Sequence, residues 1–222
     1  MSLTVKICGL STPQALEVAL DAGADMVGFV FFPPSPRNIS YKTASALESR
    51  VRGMAKKVAL SVDADDTALS YVVDALGPDI LQLHGNESPL RVAAIKARFK
   101  LPVMKAIAVE SKADLAAIAR YAAVANHLLF DARPPRDATR PGGLGNAFDW
   151  SLLQNLKPGV PFMLSGGLNA GNVGEALRLT RAPGVDVSSG VERTPGQKDP
   201  DKIRAFIRAA RDAAAKQIDR VV

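Results

Sequence analysis

The single cysteine among 222 residues, Cys8, has no partner for an internal disulfide, and one cysteine cannot build a cysteine-rich zinc site. The two histidines, His84 and His127, are too few for a histidine-built metal centre. No apolar run approaches the roughly 18 residues of a membrane span, and the opening stretch MSLTVKICGL lacks the apolar core of a secretory signal. The expectation is a cytoplasmic protein with neither metal nor membrane contact. Aromatics make up only 5% of the chain, and the basic residues behind its net charge of +6 are scattered, which argues against nucleic acid as a partner. A mild positive field instead suits encounter with a small anionic substrate. No Pro/Ser-rich linker or low-complexity block interrupts the chain, so residues 1–222 read as one domain.

What the chain has in abundance is alternation. Short apolar or β-branched runs recur as VKICG (5–9), MVGFVF (26–31), KVALSV (57–62), ILQLH (80–84), PVMKAIAV (102–109), HLLFDA (127–132), PFMLSG (161–166) and GVDVSSG (184–190). Helical patterns lie between them. The stretch 11–23 opens on Ser/Thr with Pro13 in the first turn and stops at Gly23. Residues 111–123 and 169–179 follow the same logic, and 200–218 is amphipathic, with Ile203, Phe206, Ile207 and Ala210 at helical spacing. Eight strands alternating with eight helices predict an α/β fold, a single (β/α)8 barrel of eight parallel strands. An open doubly wound sheet is the alternative, weakened because no dinucleotide fingerprint follows the first strand.

In such a barrel, chemistry sits at the C-terminal ends of the strands. Unusual residues fall there: Cys8 ends strand 1, Arg37 lies in the loop after strand 2, His84 ends strand 4 and Asp131 ends strand 6. If Val5 and Ile7 face the helices, Lys6 and Cys8 face the axis. If Leu128 and Phe130 face outward, Leu129 and Asp131 face in. Thiol and carboxyl then share one cavity. Gly166 and Gly167 after strand 7, with Ser188, Ser189 and Gly190 after strand 8, offer unobstructed backbone N–H groups where these barrels hold phosphate.

The motifs KICGL (6–10), GFVFFPPSPRNIS (28–40), LQLHG (81–85), LLFDARPP (128–135), GGLGNAFDW (142–150), LSGGLNAGNV (164–173) and DVSSGVERTPGQKD (186–199), taken in order, resemble those of the phosphoribosylanthranilate isomerase family. The resemblance runs from about Lys6 into the last helix. It implies an Amadori rearrangement in tryptophan biosynthesis, from N-(5-phosphoribosyl)anthranilate to 1-(2-carboxyphenylamino)-1-deoxyribulose 5-phosphate, with no cofactor. It implies Cys8 as general base, Asp131 as general acid and Arg37 as holder of the anthranilate carboxylate. Members are monomers or homodimers. One departure stands out: where the family usually reads GGTGK or GGSGK, this chain reads GGLGN, with Leu144 and Asn146.

The residue types suit that chemistry. Opening the ribose ring needs a proton from Asp131, and the cationic iminium so formed acidifies C2′ for removal by a thiolate. A free thiol ionises near pH 8.5, so an activating cation is expected, with Lys6 as the candidate. Gln82 and His84 line the site or are hydrogen-bonded rim residues. Lys105 is expected to point inward, in an ion pair with Asp186 or as the Schiff-base lysine of an aldolase. The Gly/Pro-rich segment 133–147 reads as a lid that excludes water. Other phosphosugar barrels and a non-catalytic phosphate or nucleic-acid binder are the remaining alternatives.

Overall fold

The computed structural model describes residues 3–135, 137–145 and 147–218. Eight strands, β1 (Thr4–Cys8), β2 (Met26–Phe31), β3 (Lys56–Ser61), β4 (Ile80–Leu83), β5 (Val103–Val109), β6 (His127–Ala132), β7 (Phe162–Leu164) and β8 (Gly184–Val187), pair in parallel in chain order. β1 also pairs with β8, Lys6 opposite Asp186, so the sheet closes into a barrel.

Helices α1 (Pro13–Asp21), α2 (Tyr41–Val51), α3 (Asp66–Leu76), α4 (Pro89–Phe99), α5 (Ile118–Ala122), α6 (Val173–Thr180) and α7 (Pro200–Ile218) alternate with the strands. The first four start where a side-chain oxygen accepts from an otherwise orphaned N–H: Thr12 from Ala15, Ser40 from Thr43, Asp65 from Ala68 and Ser88 from Arg91. The expected eight helices number seven among the described residues. Between β6 and β7 only a 3-10 turn forms, Trp150–Leu153. The prolines and glycines of 134–145 cannot hold a helix, and the apolar remainder is too short to propagate one. The fifth helix is likewise mostly 3-10, over Lys112–Ala117, before one α turn.

Strand alternation sorts the core into two layers. Val5, Ile7, Val27, Phe29, Leu128 and Phe130 pack outward with the helices. Met26, Val58, Ile80, Met104, Ala106, Leu129 and Met163 fill the barrel interior. Lys6, Gln82 and Asp186, all buried, occupy inward positions too, and Cys8 packs with Val30 and Leu60 near the C-terminal mouth. After β8 the chain forms a hairpin, β9 (Glu192–Thr194) with β10 (Gln197–Lys198), before α7. No helix of the described residues is long and apolar enough to cross a membrane.

Candidate active site

The C-terminal mouth holds a cavity that opens to solvent. Cys8, Arg37, His84, Asp131, Gly166, Gly167, Ser188 and Ser189 all line it. Gln82 and Gly190 do not. Gln82 is fully buried one layer deeper on β4. A Cβ on Gly190 would overlap the Leu168 carbonyl oxygen, so this glycine lets the loops after β7 and β8 touch.

Cys8 is buried against Val30 and Leu60. Opposite it Gly28 leaves the necessary room: a Cβ there would stand 2.8 Å from the Cys8 Sγ and 3.2 Å from the Lys6 Cε. Lys6 donates to Asp186 at 2.8 Å, and Ser165 Oγ donates to the other Asp186 oxygen at 3.3 Å. Burial pulls the Lys6 ammonium down, but Asp186 and the Cys8 sulfur together outweigh it and hold it above the ordinary lysine value. The thiol departs from expectation. Burial pushes it above the ordinary cysteine value; Lys6 and Lys198 oppose this, Asp186 adds to it, and burial wins. The activation expected from Lys6 falls short because burial of the thiol outweighs the lysine charge, with Asp186 beside it adding to the rise.

Asp131 sits at the end of β6, nearly buried. One oxygen accepts from the Ala132 N–H at 2.9 Å; the other lies 3.1 Å from His84 Nε2. His84 Nδ1 in turn lies 3.0 Å from Gln82 Nε2. With the Gln82 amide donating to Nδ1, the imidazole carries its proton on Nε2 and donates it to Asp131. Gln82 Oε1 is buried with no hydrogen-bond partner among the described residues. Gly142 passes directly over this pair, with room for no side chain: its Cβ would fall 2.7 Å from Asp131 Oδ2 and 2.8 Å from His84 Nε2.

Arg37 is buried, and Glu192 grips it with two parallel bonds, Nε to Oε1 at 2.7 Å and Nη2 to Oε2 at 2.8 Å. Nη2 also donates to the Gly143 carbonyl at 3.0 Å. Lys198 Nζ donates to Glu192 Oε1 at 2.8 Å and to the Ser188 carbonyl at 2.9 Å. Burial alone would raise the Glu192 carboxyl; Arg37 and Lys198 outweigh it and hold it below the usual glutamate range. Sequence reasoning missed Glu192 and Lys198. They belong to the DVSSGVERTPGQKD motif, but only the closed hairpin brings them behind Arg37.

Lys105 corrects an expectation. It pairs with Glu87 at 2.9 Å, not with Asp186, and also donates to the Leu83 and Gly85 carbonyls. Nor does it point into the barrel as expected: its neighbours Met104 and Ala106 fill the interior, so by alternation Lys105 faces the helix layer, and its amine, fully engaged there and away from the cavity lining, is no Schiff-base nucleophile. Asp186 is taken by Lys6 because strands 1 and 8 close the barrel side by side. Of the segment 133–147, Arg133, Pro134 and Arg140–Gly145 line the mouth, Leu144 among them, and the Arg140 Nε is buried without a partner among the described residues. Asn146 lies outside the described residues, as does Arg136.

Barrel closure and a cavity at its C-terminal mouth, lined with acid–base groups and a glycine-rich rim, define a (β/α)8-barrel enzyme. The family model for N-(5′-phosphoribosyl)anthranilate isomerase matches residues 5–209. The N-(5′-phosphoribosyl)anthranilate isomerase of Nitrobacter winogradskyi is 67% identical over 213 residues, covering 96% of this chain and 95% of that one. A solved phosphoribosylanthranilate isomerase in complex with reduced 1-(o-carboxyphenylamino)-1-deoxyribulose 5-phosphate superposes with a TM-score of 0.82 at 32% identity, over 95% of this chain and 99% of that one. A structure of monomers generated from the dimeric Thermotoga maritima isomerase matches with a TM-score of 0.81 at 32% identity, over 95% and 99%. The chain belongs to the N-(5′-phosphoribosyl)anthranilate isomerase family. It is an isomerase of tryptophan biosynthesis that carries out the Amadori rearrangement of N-(5′-phosphoribosyl)anthranilate.

Proposed function

We propose that Asp131 is the general acid and Cys8 the general base of this rearrangement. The observation that carries the assignment is that both side chains line one mouth cavity, beside the glycine-rich rim of β7 and β8. Asp131 delivers a proton to the ribose ring oxygen, and the ring opens to an iminium at C1′. The cation acidifies C2′–H, and the Cys8 thiolate removes that proton to leave an enolamine. The enolamine gains a proton at C1′ as its hydroxyl loses one, giving the ketone. A proton returned through solvent from the thiol to the carboxylate resets the site. His84, against Asp131, orients the acid, and Gln82 fixes the imidazole through Nδ1.

Arg37 receives the anthranilate carboxylate, since a guanidinium suits a planar two-oxygen anion. The N–H groups of Gly166, Gly167 and Ser189, which line the cavity, receive the phosphate, and Gly190, expected among them from the sequence, holds the two rim loops together. Gly166 and Gly167, at φ of +82° and +65°, line the cavity on a backbone path that side-chain-bearing residues rarely adopt. The partner is this small phosphosugar-anthranilate, not nucleic acid, and the chain works as a monomer or, as with the dimeric Thermotoga maritima enzyme, a homodimer. A thiol that must stay reduced to act suits the cytoplasm.

The test generates phosphoribosylanthranilate in situ and follows loss of anthranilate fluorescence. Asp131→Asn is expected to lower kcat by about 10²–10⁴-fold, the usual contribution of a positioned proton donor. Cys8→Ala should lower it comparably, with circular dichroism unchanged. Wild-type turnover in both variants would end the assignment.

A further inference from the structure

Arg37 reaches the cavity from a loop, a poor platform for placing a charge. Its loop is braced locally by backbone bonds from the Ser35 N–H to the Phe32 carbonyl, from Asn38 to Ser35 and from Ile39 to Val30, and by Ser35 Oγ, which accepts from the Arg37 N–H at 3.2 Å. The guanidinium itself is held from elsewhere. Glu192 takes the Nε–Nη2 edge, and the Gly143 carbonyl takes a further Nη2 proton. Nη1 alone makes no hydrogen bond among the described residues. The carboxylate that does the holding is itself fixed by Lys198 Nζ and by the Gly196 N–H at 3.2 Å, both from the β9–β10 hairpin. Gly196, at φ of +85°, turns the hairpin so tightly against the Arg37 loop that a Cβ there would strike the Pro36 carbonyl.

This bracing is more than a structure of that loop requires. Three buried charges, Arg37, Glu192 and Lys198, stand in a row with alternating sign. Taking such groups from water is costly, and well-packed apolar residues would often stabilise as much. What the row does achieve is a guanidinium at the cavity wall with its Nε–Nη2 edge locked and Nη1 lying against Gly143 of the mouth loop.

We propose that Glu192 is a positioning residue for substrate recognition, aiming the Arg37 guanidinium at the cavity so that it meets the anthranilate carboxylate. The assignment rests on Arg37 receiving that carboxylate, as proposed above. Glu192 touches no substrate; it acts through Arg37, and Lys198 keeps its carboxylate ionised and in register. Selectivity for a 2-carboxyphenyl over a plain phenyl amine is then set by the hairpin after β8, not by the loop that bears the arginine.

The experiment titrates two ligands into the full chain: reduced 1-(o-carboxyphenylamino)-1-deoxyribulose 5-phosphate and its counterpart made from aniline, which lacks the carboxylate. Wild type is expected to prefer the first by about tenfold or more, the range of a charge-assisted contact. In Glu192→Gln an amide N–H would face the Nη2 donor, so Arg37 swings free and the preference should shrink to about twofold or less. Glu192→Asp keeps the charge and should restore part of it. In turnover, Glu192→Gln should raise KM for phosphoribosylanthranilate far more than it lowers kcat. A variant that unfolds at lower temperature yet keeps the full preference would show Glu192 to be structural only and overturn the proposal. So would a variant binding both ligands equally less well, with the ratio intact. If wild type shows no preference at all, Arg37 is not the carboxylate site, and the positioning role falls with it.

Discussion

At the scale of the residue, the unexpected observation is a buried thiol that holds its proton more tightly than a free cysteine does. Burial outweighs the two lysines that favour the thiolate. A base is active only when deprotonated, so raising its ionisation value lowers the active fraction at neutral pH. The rate of iodoacetamide capture at Cys8 should therefore climb as pH rises through neutrality and go on climbing into the alkaline range. A capture rate that levels off below pH 7 would contradict this placement of the thiol. Lys6 is the nearest cation, but its charge is balanced by Asp186, and Gly28 is what leaves both side chains space to lie together. A sequence cannot reveal that balance: Lys6 and Asp186 stand 180 positions apart.

At the scale of the element, the loops after β7 and β8 meet at Gly190, under the Leu168 carbonyl. A methyl group there must push the two loops apart. Gly190→Ala is expected to raise KM and to weaken inorganic phosphate as a competitive inhibitor by about tenfold or more, since each backbone N–H to an anion is a charge-assisted bond. An unchanged phosphate inhibition constant would show that the rim does not hold that anion. The strands were the most legible elements. MVGFVF and HLLFDA coincide with β2 and β6, because a short apolar run closed by polar residues has few other uses. Helices read well where a cap and a 3.6-residue stripe agree, as in α7. The missing sixth helix was less so, because the alternation up to that point invited one and the Gly/Pro stretch reads equally as a long connection. In the site, Cys8, Asp131 and Arg37 stood out as reactive types at strand ends. Glu192 and Lys198 did not, since a charged residue after a strand looks like any solvated one until the hairpin folds it inward.

At the scale of the whole molecule, four buried ion pairs among the described residues, Lys6–Asp186, Arg37–Glu192, Lys198–Glu192 and Lys105–Glu87, tie strands and loops together. Breaking a buried pair from one side leaves a bare charge. Lys6→Met should cost about 3–5 kcal/mol in urea unfolding for that reason. Replacing both partners together, Lys6→Met with Asp186→Leu, should cost less than the single change. If the single substitution proves neutral, water reaches Asp186 and the inner barrel is not dry.

Closure of β8 onto β1 carries its own demand on synthesis. Until the ribosome has delivered the last strand, the first has one edge bare and an amine with no counter-ion. The half-made chain holds its reactive sulfur without Asp131, Asp186 and Lys198, which later strands and loops bring to the same mouth. Catalysis here is thus available only to a finished molecule. A nascent fragment released early would carry an open sheet edge of the kind that invites aggregation and chaperones.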